Sequence, residues 1–219
     1  MLMDQSSRDD TLVGVGPPGA TPAGAVSPQS SRDKRPKRST GRNSMEAERR
    51  AISVRIRRAK PGDAEALTAL ADEVSSEPEG WLISTDGEWR SPADERRYLK
   101  ALRRYPHAAV FVAEAEDGKL VARLSLARDT HPASSHVADL GLMVAKPNRG
   151  QGIGTALLDT AAGWARANGV RKLELHVFPW NEPAIKLYEK FGFEREGFRK
   201  GHYQRAGEDV DAILMAFRV

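Results

Sequence analysis

A glycine-rich turn between a predicted strand and a predicted helix constrains this chain more than any other feature. The turn reads Arg149-Gly150-Gln151-Gly152-Ile153-Gly154 and follows a strand at residues 137–144. After it, apolar residues recur at helical spacing until Asn168-Gly169 ends the pattern. Closely spaced glycines allow consecutive backbone amides to point at one spot, and a helix N-terminus adds partial positive charge. The segment therefore predicts a phosphate or pyrophosphate site.

The spacing of the residues distinguishes among the known kinds of glycine-rich loop that bind phosphate in this way. A Walker loop needs a lysine directly after its last glycine, and none follows Gly152 or Gly154, so that design is excluded. A dinucleotide fingerprint needs a third glycine where Thr155 stands, but Glu174 lies about 20 residues on and keeps this interpretation open. A glycine loop without a ligand also stays open.

A second motif carries a resemblance to a known family. Residues 149–154 match the pattern Arg/Gln-x-x-Gly-x-Gly/Ala of the GCN5-related N-acetyltransferases, and residues 181–193 resemble that family's second signature. The latter reads Asn181-x-x-Ala184-x-x-Leu187-Tyr188-Glu189-Lys190-x-Gly192-Phe193. The resemblance extends over residues 52–219 and implies an enzyme that uses acetyl-CoA as cosubstrate to acetylate an amine.

The element order agrees with that resemblance. Period-two and helical patterns predict β-α-α-β-β-β-α-β-α-β-β, with helices at residues 62–76, 91–104 and 181–191 besides the one after the turn. Asp117-Gly118 predicts a hairpin. The resemblance implies a mixed α/β (α+β) fold. Its central sheet would be mostly antiparallel and six- to seven-stranded, with one splayed parallel strand pair and about four flanking helices.

The resemblance also implies cofactor contacts. The pantetheine arm would lie along the edge of the first splayed strand, and the pyrophosphate would lie on the amides of the turn. The Arg149 side chain can add charge there, or it stays solvated while the loop backbone alone binds. Asn181 is expected to cap its helix and to reach the cofactor. The implied cofactor-binding residues are Leu142, Met143, Val144, Arg149, Gly150, Gln151, Gly152, Ile153, Gly154 and Asn181.

Three residues are candidates for the chemistry. Tyr188 matches the family's tyrosine that protonates the coenzyme A sulfur, although a buried aromatic at helical spacing remains an alternative. A backbone amide near Met143 or Val144 resembles the family's oxyanion donor. The carboxylates of Asp139 and Glu174 are candidate general bases, Asp139 first, while a solvated or ion-paired strand carboxylate explains each equally well. With no cysteine in the chain, direct transfer in a ternary complex is expected.

The expected acceptor is a primary amine of a small molecule, an amino acid, or a protein N-terminus or lysine. Residues 72–95 are rich in Asp and Glu, which would attract a cationic amine, although solvated helix ends explain them as well. The five histidines form no pattern typical of a metal site, so no metal is expected. Two other classes stay open: a non-catalytic acyl-CoA sensor, and a nucleic-acid- or ribosome-associated modifier.

The basic charge lies mainly in the N-terminal segment. Residues 1–44 contain seven basic against four acidic residues and are rich in Pro, Gly and Ser, a composition typical of disorder. We therefore expect a disordered tail at residues 1–51 and one acetyltransferase domain at residues 52–219. Nucleic acid would bind only through the tail.

Composition excludes further classes. The chain has no cysteine, which removes disulfide scaffolds, Cys-ligated zinc and thiolate nucleophiles. Its apolar runs are too short for a transmembrane helix, and its start lacks the pattern of a secretion signal. A cytoplasmic enzyme, free of membrane and compatible with a homodimer, is the expectation.

Overall fold

The computed structural model describes residues 53–83 and 90–219. The predicted tail and the acidic positions at residues 84–89 lie outside the described residues. The strands are β1 (Val54–Arg58), β2 (Ala108–Ala115), β3 (Leu120–Arg128), β4 (Val137–Val144), β5 (Lys172–Val177), β6 (Glu194–Arg205) and β7 (Glu208–Arg218). The helices are α1 (Ala64–Ser75), α2 (Pro92–Leu102), α3 (Ile153–Ala167) and α4 (Glu182–Phe191).

The strands form one open seven-stranded sheet in the order β1-β2-β3-β4-β5-β7-β6. Every neighbouring pair is antiparallel except β4–β5, which is parallel. This arrangement confirms the predicted mixed α/β fold with one parallel pair and four helices. The predicted first helix began too early, because Pro61–Asp63 forms a separate 3-10 turn before α1.

Successive side chains of a strand point to opposite faces of the sheet, and their contacts show that the helices pack on both faces. In β2, Ala109 and Ala113 face the core cluster that includes Leu157 and Leu158 of α3. Val110 and Val112, between them in sequence, pack instead with residues of α1 and α2 such as Leu67 and Leu99. The sheet is therefore sandwiched between α1–α2 on one face and α3–α4 on the other. None of the helices in the described ranges is long and apolar enough to span a bilayer.

Candidate active site

The parallel pair β4–β5 separates after a short paired stretch. Its register runs Val137 to Lys172, Ala138 to Leu173 and Asp139 to Glu174, and stops there. Residues 140–144 and 175–177 continue as strands without pairing to each other, so the sheet has a wedge-shaped gap.

The edge of β4 that faces this gap is not paired with β5 beyond Asp139. Ala145 donates its amide to the Val121 carbonyl of β3 at 2.9 Å. Because the amides of successive strand residues point to opposite edges, the Met143 amide also faces β3, whereas those of Leu142 and Val144 face the gap. The Met143 side chain is buried beside Leu70, Ala71 and Val74 of α1.

A cavity of about 370 Å³ opens from the gap. Its walls come from residues 139–143 of β4 and 175–177 of β5, with Arg123 and Ser125 of β3. Residues 81–83, Tyr203 of β6, and Asn181, Ala184 and Tyr188 complete it. The cavity thus joins the strand gap to side chains from both faces of the sheet.

The glycine turn ends at the first residue of α3. Gly152 has φ of 82° and precedes Ile153, the first helical residue, and no side chain caps the helix. A Cβ on Gly152 would meet no atom within 4 Å. The helix thus begins without a side-chain cap and beside open space at Gly152, which leaves room for an anionic ligand at the first amides of α3.

Gly154 has a different structural role. A Cβ there would lie 2.8 Å from Leu187 Cδ2 of α4. Glycine at this position permits the start of α3 to pack against the helix that carries Tyr188.

Tyr188 lies inside the core at the cavity wall. Its side chain is 5% exposed, and its ring centroid is 5.5 Å from that of Phe193. Burial raises the pKa of its hydroxyl far above the ordinary value, so the group stays protonated. One residue before α4, Asn181 accepts the Ala184 amide at 3.2 Å, which confirms the predicted helix cap.

Comparisons with known proteins agree with this geometry. The family model for the acetyltransferase (GNAT) family matches residues 69–193. The chain belongs to this family. It is therefore an acyl-CoA-dependent acetyltransferase, and acetyl-CoA is its cosubstrate.

The alignments with individual GNAT relatives cover most of the length of each relative. The L-amino acid N-acetyltransferase AaaT of Escherichia coli is 33% identical, over 74% of this chain and 95% of the relative. The N-alpha-acetyltransferase RimI of Mycobacterium tuberculosis is 33% identical, over 66% of this chain and 86% of the relative. A GNAT acetyltransferase structure from Streptococcus pneumoniae superimposes with a TM-score of 0.69 at 29% identity, covering 76% of this chain and all of that one.

Arg149 of this GNAT chain is committed to protein contacts. Its guanidinium donates two hydrogen bonds to the Glu77 carboxylate, at 2.7 and 2.6 Å. Its Nε donates to the Val144 carbonyl at 2.9 Å, and its guanidinium carbon lies 5.0 Å from the Trp81 ring centroid. The side chain therefore joins the glycine turn to the segment after α1.

That segment, residues 77–81, is called the strap. Glu79 accepts Lys146 Nζ at 2.8 Å, and its carbonyl accepts Trp180 Nε1 at 3.1 Å. The Gly80 carbonyl accepts Arg205 of β6. The strap is thus fixed to elements on both sides of the gap.

We expect the strap to depend on the Arg149–Glu77 pair. Arg149→Gln and Glu77→Gln should each lower the free energy of unfolding by about 2 kcal/mol, the scale of charged hydrogen bonds in a partly buried pair. The double variant should fall close to the worse single variant, because either change removes the same contact. Urea denaturation measures all three.

The exposed pair Glu182–Lys186, 3.1 Å apart, is the matched control. Neutralising either of its members should change the free energy of unfolding by less than about 0.5 kcal/mol. Fully additive losses at Arg149 and Glu77 would show that the two side chains stabilise the protein independently.

The predicted carboxylates are neighbours across the last paired step. Asp139 faces the cavity, and partial burial followed by the negative charge of Glu174 raises the pKa of its carboxyl. Glu174 accepts Lys172 Nζ at 2.6 Å, and the same ammonium contacts Glu196. Of the two, Asp139 is the carboxylate on the cavity wall.

Sequence reasoning missed two sets of contacts at the cavity. Arg123 of β3 is buried beside the fully buried Glu95 of α2, with 3.6 Å between Nη2 and Oε1. His176 of β5 lies 2.5 Å from the Tyr203 hydroxyl, measured from Nδ1. Neither pair has a local sequence signal, because its members come from separate elements. Within residues 53–83 and 90–219, no three metal-ligating side chains cluster closely enough to hold an ion.

Proposed function

We propose that this enzyme transfers an acetyl group from acetyl-CoA directly to the primary amine of a free amino acid. When bound, acetyl-CoA supplies an acetyl group activated as a thioester. The amides at the start of α3 bind the pyrophosphate, and the gap-facing amides of Leu142 and Val144 hold the pantetheine arm and the thioester oxygen. The Tyr188 hydroxyl donates a proton to the departing sulfur.

One observation carries the choice of a small acceptor. The cavity of about 370 Å³ is bordered by the strap residue Trp81 and the two residues after it. The strap is bonded to both sides of the gap, which favours a small amine over a polypeptide segment. Similarity to AaaT, whose name states an L-amino acid acceptor, supports the same class.

The absence of cysteine supports direct transfer. The chain contains no cysteine to carry a covalent acetyl group. Asp139 places a negative charge at the cavity wall, where it attracts the ammonium form of the acceptor.

The test is a release assay for the coenzyme A thiol, using the full chain, acetyl-CoA and a matched acceptor panel. The panel contains free L-amino acids, their methyl esters, a polyamine and short peptides beginning with alanine. We expect turnover with free amino acids and intersecting double-reciprocal plots.

Other outcomes would overturn specific parts of the proposal. Turnover with peptides alone would reassign the acceptor to a protein N-terminus, the class that the name of the relative RimI states. Parallel double-reciprocal plots would reject direct transfer. Tight acetyl-CoA binding without turnover of any amine would favour the acyl-CoA sensor.

A further inference from the structure

His176 occupies the first position of β5 that lies on the cavity face beyond the pairing with β4. Glu174 is the last paired residue of β5, so His176, two residues on, projects to the same face. The corresponding position of β4 is Gly141, two residues past Asp139, which has no side chain. A Cβ there would lie 2.8 Å from Ser125 Oγ. The imidazole lines the cavity together with Asp139 and Tyr188.

The imidazole is held in place by β6. Its Nδ1 lies 2.5 Å from the Tyr203 hydroxyl. The ring of His202 packs edge-on against His176 at 5.2 Å and against Tyr203 at 4.8 Å between centroids. The ring centroid of Phe178 lies 6.0 Å from that of Tyr203. A register shift between Arg199 and Tyr203 in the β6–β7 pairing presents these rings to β5.

We propose that His176, positioned by Tyr203, accepts the proton of the acceptor amine. This inference rests on the proposed function and identifies its general base. Nδ1–H donates to the Tyr203 oxygen, and this tautomer leaves the Nε2 lone pair as the proton acceptor. Tyr203 acts as a positioning residue for the imidazole.

The protons and electrons balance as follows. The substrate ammonium gives one proton to Nε2 of His176, which passes it to solvent. The amine nitrogen then bonds to the acetyl carbon, and the C–S bond breaks with its electron pair going to sulfur. The nitrogen releases its second proton to solvent, and solvent returns one proton to the Tyr188 phenolate that forms when the hydroxyl protonates the sulfur, so each turnover releases one proton.

The electrostatic surroundings keep the base ready. Burial, followed by electrostatic interactions with Arg199 and His202, lowers the pKa of His176 below its ordinary 6.5, and Glu174 opposes this shift. His176 is therefore neutral at pH 7 and can accept a proton. Among the described residues, the charged and titratable groups that surround it or line the same cavity are as follows: Glu174 on β5, Asp139 on β4, Arg123 on β3, Tyr188 on α4, and Arg199, His202 and Tyr203 on β6.

The test is the pH profile of kcat/KM between pH 5 and 9.5 with an amino acid acceptor. Wild-type activity should fall as pH drops through a pKa below 6.5, because protonated His176 accepts nothing. His176→Gln should lower kcat/KM at pH 7.5 by about 100-fold and remove this acid limb. The exposed His107→Gln is the matched control and should retain the wild-type profile.

Tyr203→Phe separates a positioning role from a structural one. Losing the acceptor of Nδ1–H removes a contact that favours the imidazolium, so the acid limb should move to lower pH. The dissociation constant for acetyl-CoA should stay within about twofold in both variants, as judged by calorimetry, because neither side chain lies at the glycine turn.

Four results would overturn the inference. An acid limb that survives in His176→Gln but disappears in Asp139→Asn would identify the carboxylate as the base. A limb that moves to higher pH in Tyr203→Phe would reverse the assigned tautomer and so exclude Nε2 as the acceptor. Absence of acetyl transfer by the wild type would reject the proposed function too, whereas an active wild type with an unimpaired His176→Gln rejects this inference alone.

Discussion

Gly152→Glu should bind acetyl-CoA at least about 100-fold more weakly than the wild type, a loss of about 2.7 kcal/mol. Gly152 has φ of 82° and immediately precedes α3. The space around its missing Cβ is empty. A carboxylate in that space would lie among the amides predicted to bind the pyrophosphate and would repel it. Isothermal titration with acetyl-CoA measures the loss.

A second glycine with the same backbone conformation provides the control for backbone strain. Gly118, in the β2–β3 hairpin, also has φ of 82° and nothing within 4 Å of its missing Cβ. Gly118→Glu should therefore carry a similar strain, of about 1–2 kcal/mol, with unchanged acetyl-CoA affinity. Equal affinity in Gly152→Glu and Gly118→Glu would mean that the pyrophosphate binds elsewhere.

Tyr188→Phe should lower kcat by about 100-fold while the dissociation constant for acetyl-CoA changes less than about twofold. The phenol ring, which packs against Phe193, is retained, so the core keeps its shape and only the proton donor is lost. Steady-state kinetics together with calorimetry separates the two quantities. Because burial raises the pKa of Tyr188, wild-type kcat should show no alkaline limb from this group up to pH 10.

The control for Tyr188→Phe is Tyr105→Phe, at a side chain that is 63% exposed. It should leave both kcat and affinity unchanged. A wild-type kcat in Tyr188→Phe would assign Tyr188 a packing role and leave protonation of the sulfur to solvent.

Local features of the fold were predictable because short-range physics determines them. Asp117-Gly118 predicted the β2–β3 hairpin, and Asn181 predicted the start of α4 through its side-chain cap. The parallel pair came from the family resemblance, since strand periodicity does not reveal which strands become neighbours.

The partners of the site residues were not predictable in the same way. Arg149 binds Glu77, 72 residues away, and His176 binds Tyr203, 27 residues away. Both pairs form only when the sheet brings separate elements together. The sequence therefore left open whether the Arg149 side chain adds charge to the turn or stays solvated, while its guanidinium in fact hydrogen-bonds the strap. Gly154 resembled a ligand contact, and its close approach is to Leu187.

The early end of the β4–β5 ladder has a thermodynamic consequence. Strands β1–β4 meet strands β5–β7 at the β4–β5 ladder, which has three residue pairs. The two parts of the sheet therefore share only a short stretch of strand pairing. A cosubstrate whose amide groups hydrogen-bond to the backbone of Leu142 and Val144 would replace the strand-to-strand hydrogen bonds that β5 does not make there. Cosubstrate binding and the stability of the sheet would then be linked, and the free energy of unfolding would rise as the cosubstrate concentration rises.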